Sequence, residues 1–259
     1  MPEPSAPPVA HNLLAERTVL VTASAGTGIG YATARRCAEE GARVAISDRH
    51  ERRLAEAADQ LAELTGTRPL AVPCDVTDRA QIDRLVDTVA AEYGGIDVLV
   101  NNAGLGGTAS VLEMTDEQWD TVLGISLTAT FKVTRATLRH MVPAGRGVIV
   151  NNASVIGWRA QAGQAHYAAA KAGVMALTRC AAMDVSEHGI RINAVAPSIA
   201  THPHLAKVTS AELLATLAER EAFGRAAEPW EVANVIVFLA SDYSSYLTGE
   251  VVSVSSQHP

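Results

Sequence analysis

Residues 17–22 (RTVLVT) form a short β-branched apolar run that passes into a glycine-rich turn and then into the helix-like TARRCAEEGA. The same rhythm recurs down the chain. RVAISD at 43–48 leads to a helix through 64, RPLAVPCD at 68–75 to a helix through 92, and GIDVLVNNAG at 95–104 to a long helix around 116–140. GVIVNNAS at 147–154, a helix from about 164 to 188, and IRINAVAP at 190–197 follow. These strands are apolar on both faces instead of alternating, which predicts an α/β fold with a doubly wound parallel sheet and helices on each side.

After 197 the rhythm breaks. Residues 198–224 read as an irregular segment with one or two short helices, followed by the helix EPWEVANVIVFLA and a last strand, GEVVSVS. Ligands bind beyond the carboxyl ends of such sheets, so 198–224 is expected to cover that crevice as a substrate lid. The opening MPEPSAPPVA holds four prolines and no apolar signal core, so 1–16 is read as a flexible tail and 17–259 as a single domain.

Composition narrows the function. With 48% hydrophobic and 19% charged residues in 259, the chain has ordinary globular composition and no linker-like interruption. A formal charge of -7 argues against a nucleic-acid or anionic-membrane partner, and no run of apolar residues is long enough to span a bilayer. Cys37, Cys74 and Cys180 are widely spaced, without a CxxC or a His/Cys cluster, which argues against disulfides and against a metal site and fits a reducing cytoplasm.

VTASAGTGIG at 21–30 places Gly26, Gly28 and Gly30 between strand and helix, where backbone amides and a helix N-terminus can approach a pyrophosphate. Asp48 ends the second strand 18 positions after Gly30; there it either accepts both adenosine ribose hydroxyls or merely opens the next loop. Its charge would repel a 2′-phosphate and so favours NAD over NADP, although the adjacent Arg49 could turn toward a phosphate. Asp75 either contacts adenine or caps the helix that begins near Asp78. Lys171 follows Tyr167 by four residues on one helix face, and Ser154 precedes the tyrosine by 13 residues at a strand end. A tyrosine has an unperturbed pKa of ~10 and is a poor base, but an adjacent ammonium favours its phenolate. The serine can then orient a substrate oxygen while Tyr167 gives or takes its proton.

Taken in order, the glycine turn, Asp48, NNAG at 101–104, Ser154 and YAAAK at 167–171 resemble the short-chain dehydrogenase/reductase family over about residues 17–255. The resemblance implies a Rossmann-like sheet of about seven strands, an NAD(P)-dependent alcohol dehydrogenase or ketone reductase, and a homotetramer whose interface includes 239–254. It further implies coenzyme contacts at Thr22, Gly26, Gly28, Ile29, Gly30, Asp48, Arg49, Asp75, Val76, Asn102, Ala103, Gly104, Tyr167, Lys171, Pro197 and Ile199. Asn101 would steady the central strand. Three positions and the last segment depart from the family pattern. Ala23 and Ser198 stand where glycines are usual, and Ser126 replaces an asparagine that holds a relay water for Lys171; Ser126 either keeps that role or simply faces a neighbour. SVSSQHP at 253–259 replaces an aspartate and glycines.

These departures resemble one actinobacterial subgroup of the family. ASAGTGIGYATARR, NNASVIGWRAQ, HYAAAKAGVMALTRC, APSIA and SSYLTGEVVSVSSQHP are similar to dehydrogenases of cholesterol breakdown that act on the ring hydroxyl of a bicyclic hydrindane carboxyl-CoA thioester. The lid's apolar residues would meet such a ring, and His202, His204 and Lys207 its CoA phosphates or only solvent. Two rivals share the motifs: a 3-oxoacyl-thioester reductase of fatty-acid metabolism, and a dinucleotide-binding regulator that has lost catalysis.

Overall fold

A computed structural model of the chain describes residues 6–201 and 211–256. Seven strands form one parallel sheet: β1 Thr18–Thr22, β2 Arg43–Asp48, β3 Leu70–Pro73, β4 Val98–Asn101, β5 Gly147–Asn152, β6 Ile190–Pro197 and β7 Val251–Val254. Their order is β3-β2-β1-β4-β5-β6-β7. The chain therefore starts mid-sheet, winds outward through β3, and returns to place β4 beside β1, in register from Val19 opposite Val98. Where the winding reverses, the loops after β1 and β4 splay apart and open a crevice at the strands' carboxyl ends.

Both sheet faces are covered by helices, as the unbroken apolar strands require. The helices are α1 Ile29–Glu39, α2 Glu51–Thr65, α3 Arg79–Tyr93, α4 Asp116–Leu123, α5 Ala129–Ala144, α6 Ala165–Val185, α7 Ala211–Arg220 and α8 Pro229–Ala240. Val19 and Val21 of β1 pack with Ala34 and Cys37 of α1 and Ile236 of α8 in one core. Leu20, between them, faces Leu85 and Val89 of α3 and Val133 of α5 in the other. One strand thus feeds two cores through its period of two.

The long helix expected at 116–140 is interrupted. A capping box of Thr115 and Gln118 starts α4, but Gly124–Thr128 forms a π turn before α5 resumes and runs on to Ala144. The widened turn turns Ser126 inward, where it is fully buried.

The segment expected to be a free tail is anchored from His11 onward. The amides of His11 and Leu13 donate to the Glu40 carboxylate at 2.9 and 3.0 Å, and Leu14 is 0% exposed. Glu40 is itself buried and paired with Arg36, so this carboxylate is compensated from two sides. Of the lid segment, residues 202–210 lie outside the described residues, and with them His202, His204 and Lys207. Its described ends are rooted. Ala200 pairs with Ala227 in an isolated bridge, Ser256 Oγ joins Glu221 at 3.1 Å, and Arg225 grips Glu231 with two bonds of 2.8 Å. No described helix is long and apolar enough to cross a membrane.

Candidate active site

The crevice begins where β1 runs out. Ala23 takes φ +51°, a left-handed conformation that costs an alanine ~1 kcal/mol, and Gly26 follows at φ +116°. Gly28 is the cap residue of α1 but supplies no side-chain hydrogen bond, and the first turn of α1 carries no acidic residue. Its free amides and the positive end of the helix dipole therefore point at the turn, which is what a pyrophosphate requires. Ile29 packs against the core below. Gly30 has a separate reason to be glycine. A Cβ there would lie 2.4 Å from Asn102 Nδ2 and 2.5 Å from the Ala23 carbonyl oxygen, so only a bare backbone lets α1 approach β4 this closely.

Asp48 stands half-buried at the end of β2, its Oδ1 accepting the His50 amide at 3.0 Å. Burial raises its carboxyl above the usual range, opposed by the Ala25 amide and by Arg53 and Arg49. Arg49 itself is exposed and its Nε meets the His50 ring at 3.4 Å. Asp75 does not cap α3. Its Oδ1 accepts the Thr77 amide and hydroxyl at 2.9 and 2.7 Å, whereas Asp78 caps the helix by accepting from Ala80 and Gln81. Val76 lies partly buried against the adjoining core.

The asparagines at the ends of β4 and β5 build the crevice floor. Asn101 donates to Asn151 Oδ1 and Thr134 Oγ1, both at 2.9 Å, and Asn151 donates to Thr178 Oγ1, tying two strands to α5 and α6. Asn102 is a hub. Its side-chain amide donates to the Thr22 and Ala23 carbonyls at 3.2 and 3.0 Å and its Oδ1 accepts from Asn152 at 3.0 Å. The backbone amides of Asn102 and Ala103 both donate to Thr22 Oγ1, at 3.0 and 3.2 Å. Thr22 and Asn102, expected as coenzyme contacts, thus have their side chains engaged with one another's loops.

Ser154, Tyr167 and Lys171 meet at the far wall. Ser154, just beyond β5, hydrogen-bonds the Tyr167 hydroxyl and donates to the Pro197 carbonyl at 3.4 Å. Tyr167 and Lys171 sit one turn apart on α6, with the lysine Nζ 5.6 Å from the ring centroid. Nζ donates to the Asn152 carbonyl at 2.6 Å. Burial pushes Tyr167 up to about 12, eased by the Ser154 bond, and holds Lys171 down to about 8. Each group is thereby moved toward its neutral form, and each regains its charge most readily beside an opposite one.

Ser126 faces this pair across Gly104. A Cβ on Gly104 would stand 3.3 Å from Lys171 Nζ and 3.8 Å from Ser126 Oγ. The serine hydroxyl, however, is closed on Leu105, donating to its carbonyl and accepting from its amide at 3.0 Å each. Pro197 ends β6 beside Ser154, and the Ile199 carbonyl accepts from the Ala227 amide at 2.8 Å.

Two further residues enter the site that sequence reasoning passed over. Asn152 supplies the lysine's acceptor and holds Asn102. His166, buried, accepts the Tyr167 backbone amide on Nδ1 at 2.9 Å and so steadies the first turn of α6. The signal for Asn152 was a second asparagine at the end of a Val-Ile-Val run; His166 carried none beyond its place before the tyrosine.

Comparison with known proteins agrees with this geometry. The family model described as enoyl-(acyl carrier protein) reductase matches residues 23–256. A Mycobacterium tuberculosis protein named (5R,7aS)-5-hydroxy-7a-methyl-1-oxo-2,3,5,6,7,7a-hexahydro-1H-indene-carboxyl-CoA reductase is 65% identical over 250 residues, covering 96% of this chain and 95% of that one. A cis-4-hydroxycyclohexanecarboxylate dehydrogenase of Sinomonas cyclohexanicum is 46% identical over 93% of this chain and 95% of that one. The crystal structure of a short chain dehydrogenase from Mycobacterium smegmatis superposes with a TM-score of 0.89 at 57% identity, covering 99% of both chains.

Proposed function

We propose that this chain, which belongs to the short-chain dehydrogenase/reductase family and is an oxidoreductase that binds a nicotinamide dinucleotide, interconverts a ring hydroxyl and a ketone on a bicyclic, steroid-derived carboxyl-CoA thioester of the 5-hydroxy-7a-methyl-1-oxo-hydrindane type. The observation that carries the substrate is the 65% identity to the mycobacterial reductase over 96% of the chain. The second relative is also named for a ring alcohol, which weighs against a straight-chain 3-oxoacyl thioester.

The chemistry rests on Ser154, Tyr167 and Lys171. The coenzyme, when bound, supplies the hydride donor or acceptor. Ser154 hydrogen-bonds the substrate oxygen and sets its distance from Tyr167. In the oxidative direction Tyr167 takes the hydroxyl proton as the carbinol carbon gives up its hydride; in reduction it returns that proton to the forming alkoxide. Lys171, held by the Asn152 carbonyl, keeps positive charge near the phenol oxygen and lowers the energy of its ionised form.

NAD is the favoured coenzyme because Asp48 ends β2, where its carboxylate would pair with the adenosine ribose hydroxyls and repel a 2′-phosphate. Thr22, Gly26, Gly28, Ile29 and Gly30 would frame the pyrophosphate, Asp75, Val76, Ala103 and Gly104 the adenosine side, and Pro197 and Ile199 the nicotinamide. Exchanging Asp48 for alanine is expected to narrow the NAD over NADP ratio of kcat/KM; an unchanged ratio would relocate the ribose site. The exposed Tyr243 and Tyr246 of the C-terminal segment fit the proposed tetramer contact, and three unpaired cysteines fit a reducing cytoplasm.

The deciding experiment is turnover of hydroxyacyl-CoA thioesters, including the hydroxy-hydrindane compound, with NAD and NADP in parallel. Strong NAD-linked oxidation of the bicyclic thioester is the expected result. Preference for straight-chain substrates would make the protein a 3-oxoacyl reductase, and NAD binding without turnover of any would leave a regulator.

A further inference from the structure

Asn152 joins the two halves of the crevice and does so at a cost. Its carbonyl accepts the Lys171 ammonium at 2.6 Å, while its side-chain amide donates to Asn102 Oδ1 at 3.0 Å. Asn102 in turn holds the Thr22 and Ala23 carbonyls, at the root of the glycine turn. A continuous path of hydrogen bonds therefore runs from the lysine to the phosphate-facing turn through one residue of β5.

The neighbouring asparagine is accounted for. Asn151 uses both ends of its amide, accepting from Asn101 and donating to Thr178. Asn152 uses only one: its Oδ1 is buried and has no hydrogen-bond partner among the described residues. An unpaired buried acceptor is unfavourable, and the strand that leads to Asn151 and Asn152 is apolar through Val148, Ile149 and Val150. An apolar residue would pack there without that penalty. Across the crevice, Ser126 is closed on Leu105 in both directions and gives the lysine no alternative hold.

We propose that Asn152 is a positioning residue that couples the seating of the dinucleotide at the glycine turn to the placement of Lys171. This rests on the dehydrogenase reading above for the identity of the ligand. Breaking the Asn152–Asn102 bond frees Asn102 to drift from the Ala23 carbonyl, and the turn and the lysine then settle independently.

The test separates positioning from packing. Asn152→Leu is of similar size, keeps the backbone carbonyl that holds Lys171, and removes both the unpaired oxygen and the bond to Asn102. Its melting temperature is expected to stay within a few degrees of the parent, because the gain from removing one unpaired group offsets the loss of the other's partner. NADH binding, followed by fluorescence titration without substrate, should weaken by ~3–10-fold, the range of one lost hydrogen bond. Asn152→Asp should place a carboxylate near the lysine and move the alkaline limb of the kcat profile to higher pH. Asn152→Ser serves where the leucine variant does not fold, with the same loss of affinity expected. A folded Asn152→Leu or Asn152→Ser protein with parental NADH affinity, or an Asn152→Asp enzyme with an unmoved pH profile, would overturn the coupling. Failure of the parent protein itself to bind NADH would instead sink the dehydrogenase reading, so the two failures are distinguishable.

Discussion

At the scale of single residues, burial disfavours the ionised form of both Tyr167 and Lys171, so each charge the proposed reaction needs is best carried beside an opposite one. Tyr167 hydrogen-bonds Ser154, and its hydroxyl is the proton carrier in the proposed reaction. Tyr167→Phe should leave NADH binding nearly intact and reduce turnover by at least ~100-fold, the scale of a lost general acid/base; single-turnover and fluorescence measurements read the two separately. Lys171 makes a second prediction through stability. Its value is lowered from 10.5 to about 8 by burial, so below pH 8 the folded and unfolded chains are both protonated and the cost of burying the ammonium is present in full. Between pH 8 and 10.5 the folded protein releases its proton first and that cost fades as pH rises. Lys171→Met should therefore abolish turnover yet stabilise the fold by ~1–3 kcal/mol at pH 7, with the gain shrinking toward pH 10. Urea unfolding at the two pH values checks it, and an equal gain at both would reject the buried-charge account. Tyr167 has the opposite sign in a higher window: raised from 10.0 to about 12, it withdraws stability as pH climbs between those values.

Among the elements, the decisive contact is between the start of α1 and the end of β4. Gly30 lets the helix come so close that Asn102 lies within 2.4 Å of where a Cβ would be. Gly30→Ala should displace Asn102, loosen the turn it holds, and cost ~1–3 kcal/mol in unfolding free energy together with a clear loss of NADH affinity. Denaturation and titration of the same sample test both halves, and a variant that loses stability while binding NADH normally would show that the approach serves packing only. The π turn at Gly124–Thr128 acts at the same scale, since the residue it adds to the helix brings Ser126 into the wall behind Gly104.

For the whole molecule, the segment that precedes the sheet is tied to the end of α1 and packs into the core. Leu14 lies wholly inside the core shared by α1 and α8, and the His11 and Leu13 amides hydrogen-bond the buried Glu40 carboxylate that Arg36 neutralises. Leu14→Ala should cost ~2–5 kcal/mol while leaving kcat per folded molecule unchanged, since the crevice opens at the other end of the strands. Thermal unfolding alongside active-site titration decides it; a normal melting temperature would mean that the segment is not part of the cooperative core.

Period and spacing alone marked out the succession of apolar strands and helices and a parallel sheet, because strands buried on both faces must be apolar throughout, as β1 is from Thr18 to Thr22. The glycine turn, Asp48, Ser154, Tyr167 and Lys171 were singled out by their order along the chain and its resemblance to the short-chain dehydrogenase/reductase family, helical pitch adding only that Tyr167 and Lys171 share a face. What only the tertiary structure decided depends on residues distant along the chain. Asp78 caps α3 in place of Asp75 because the loop between them folds on Thr77. Ser126 is spent on Leu105, 21 positions away, and the helix around it widens. The tail docks because Glu40 offers it a buried carboxylate, and Asn152 acquires its partners only when β4, β5 and α6 are assembled. A hydrogen bond between strands has no spacing that a linear pattern can carry, so such links become visible only when the sheet has brought their ends together.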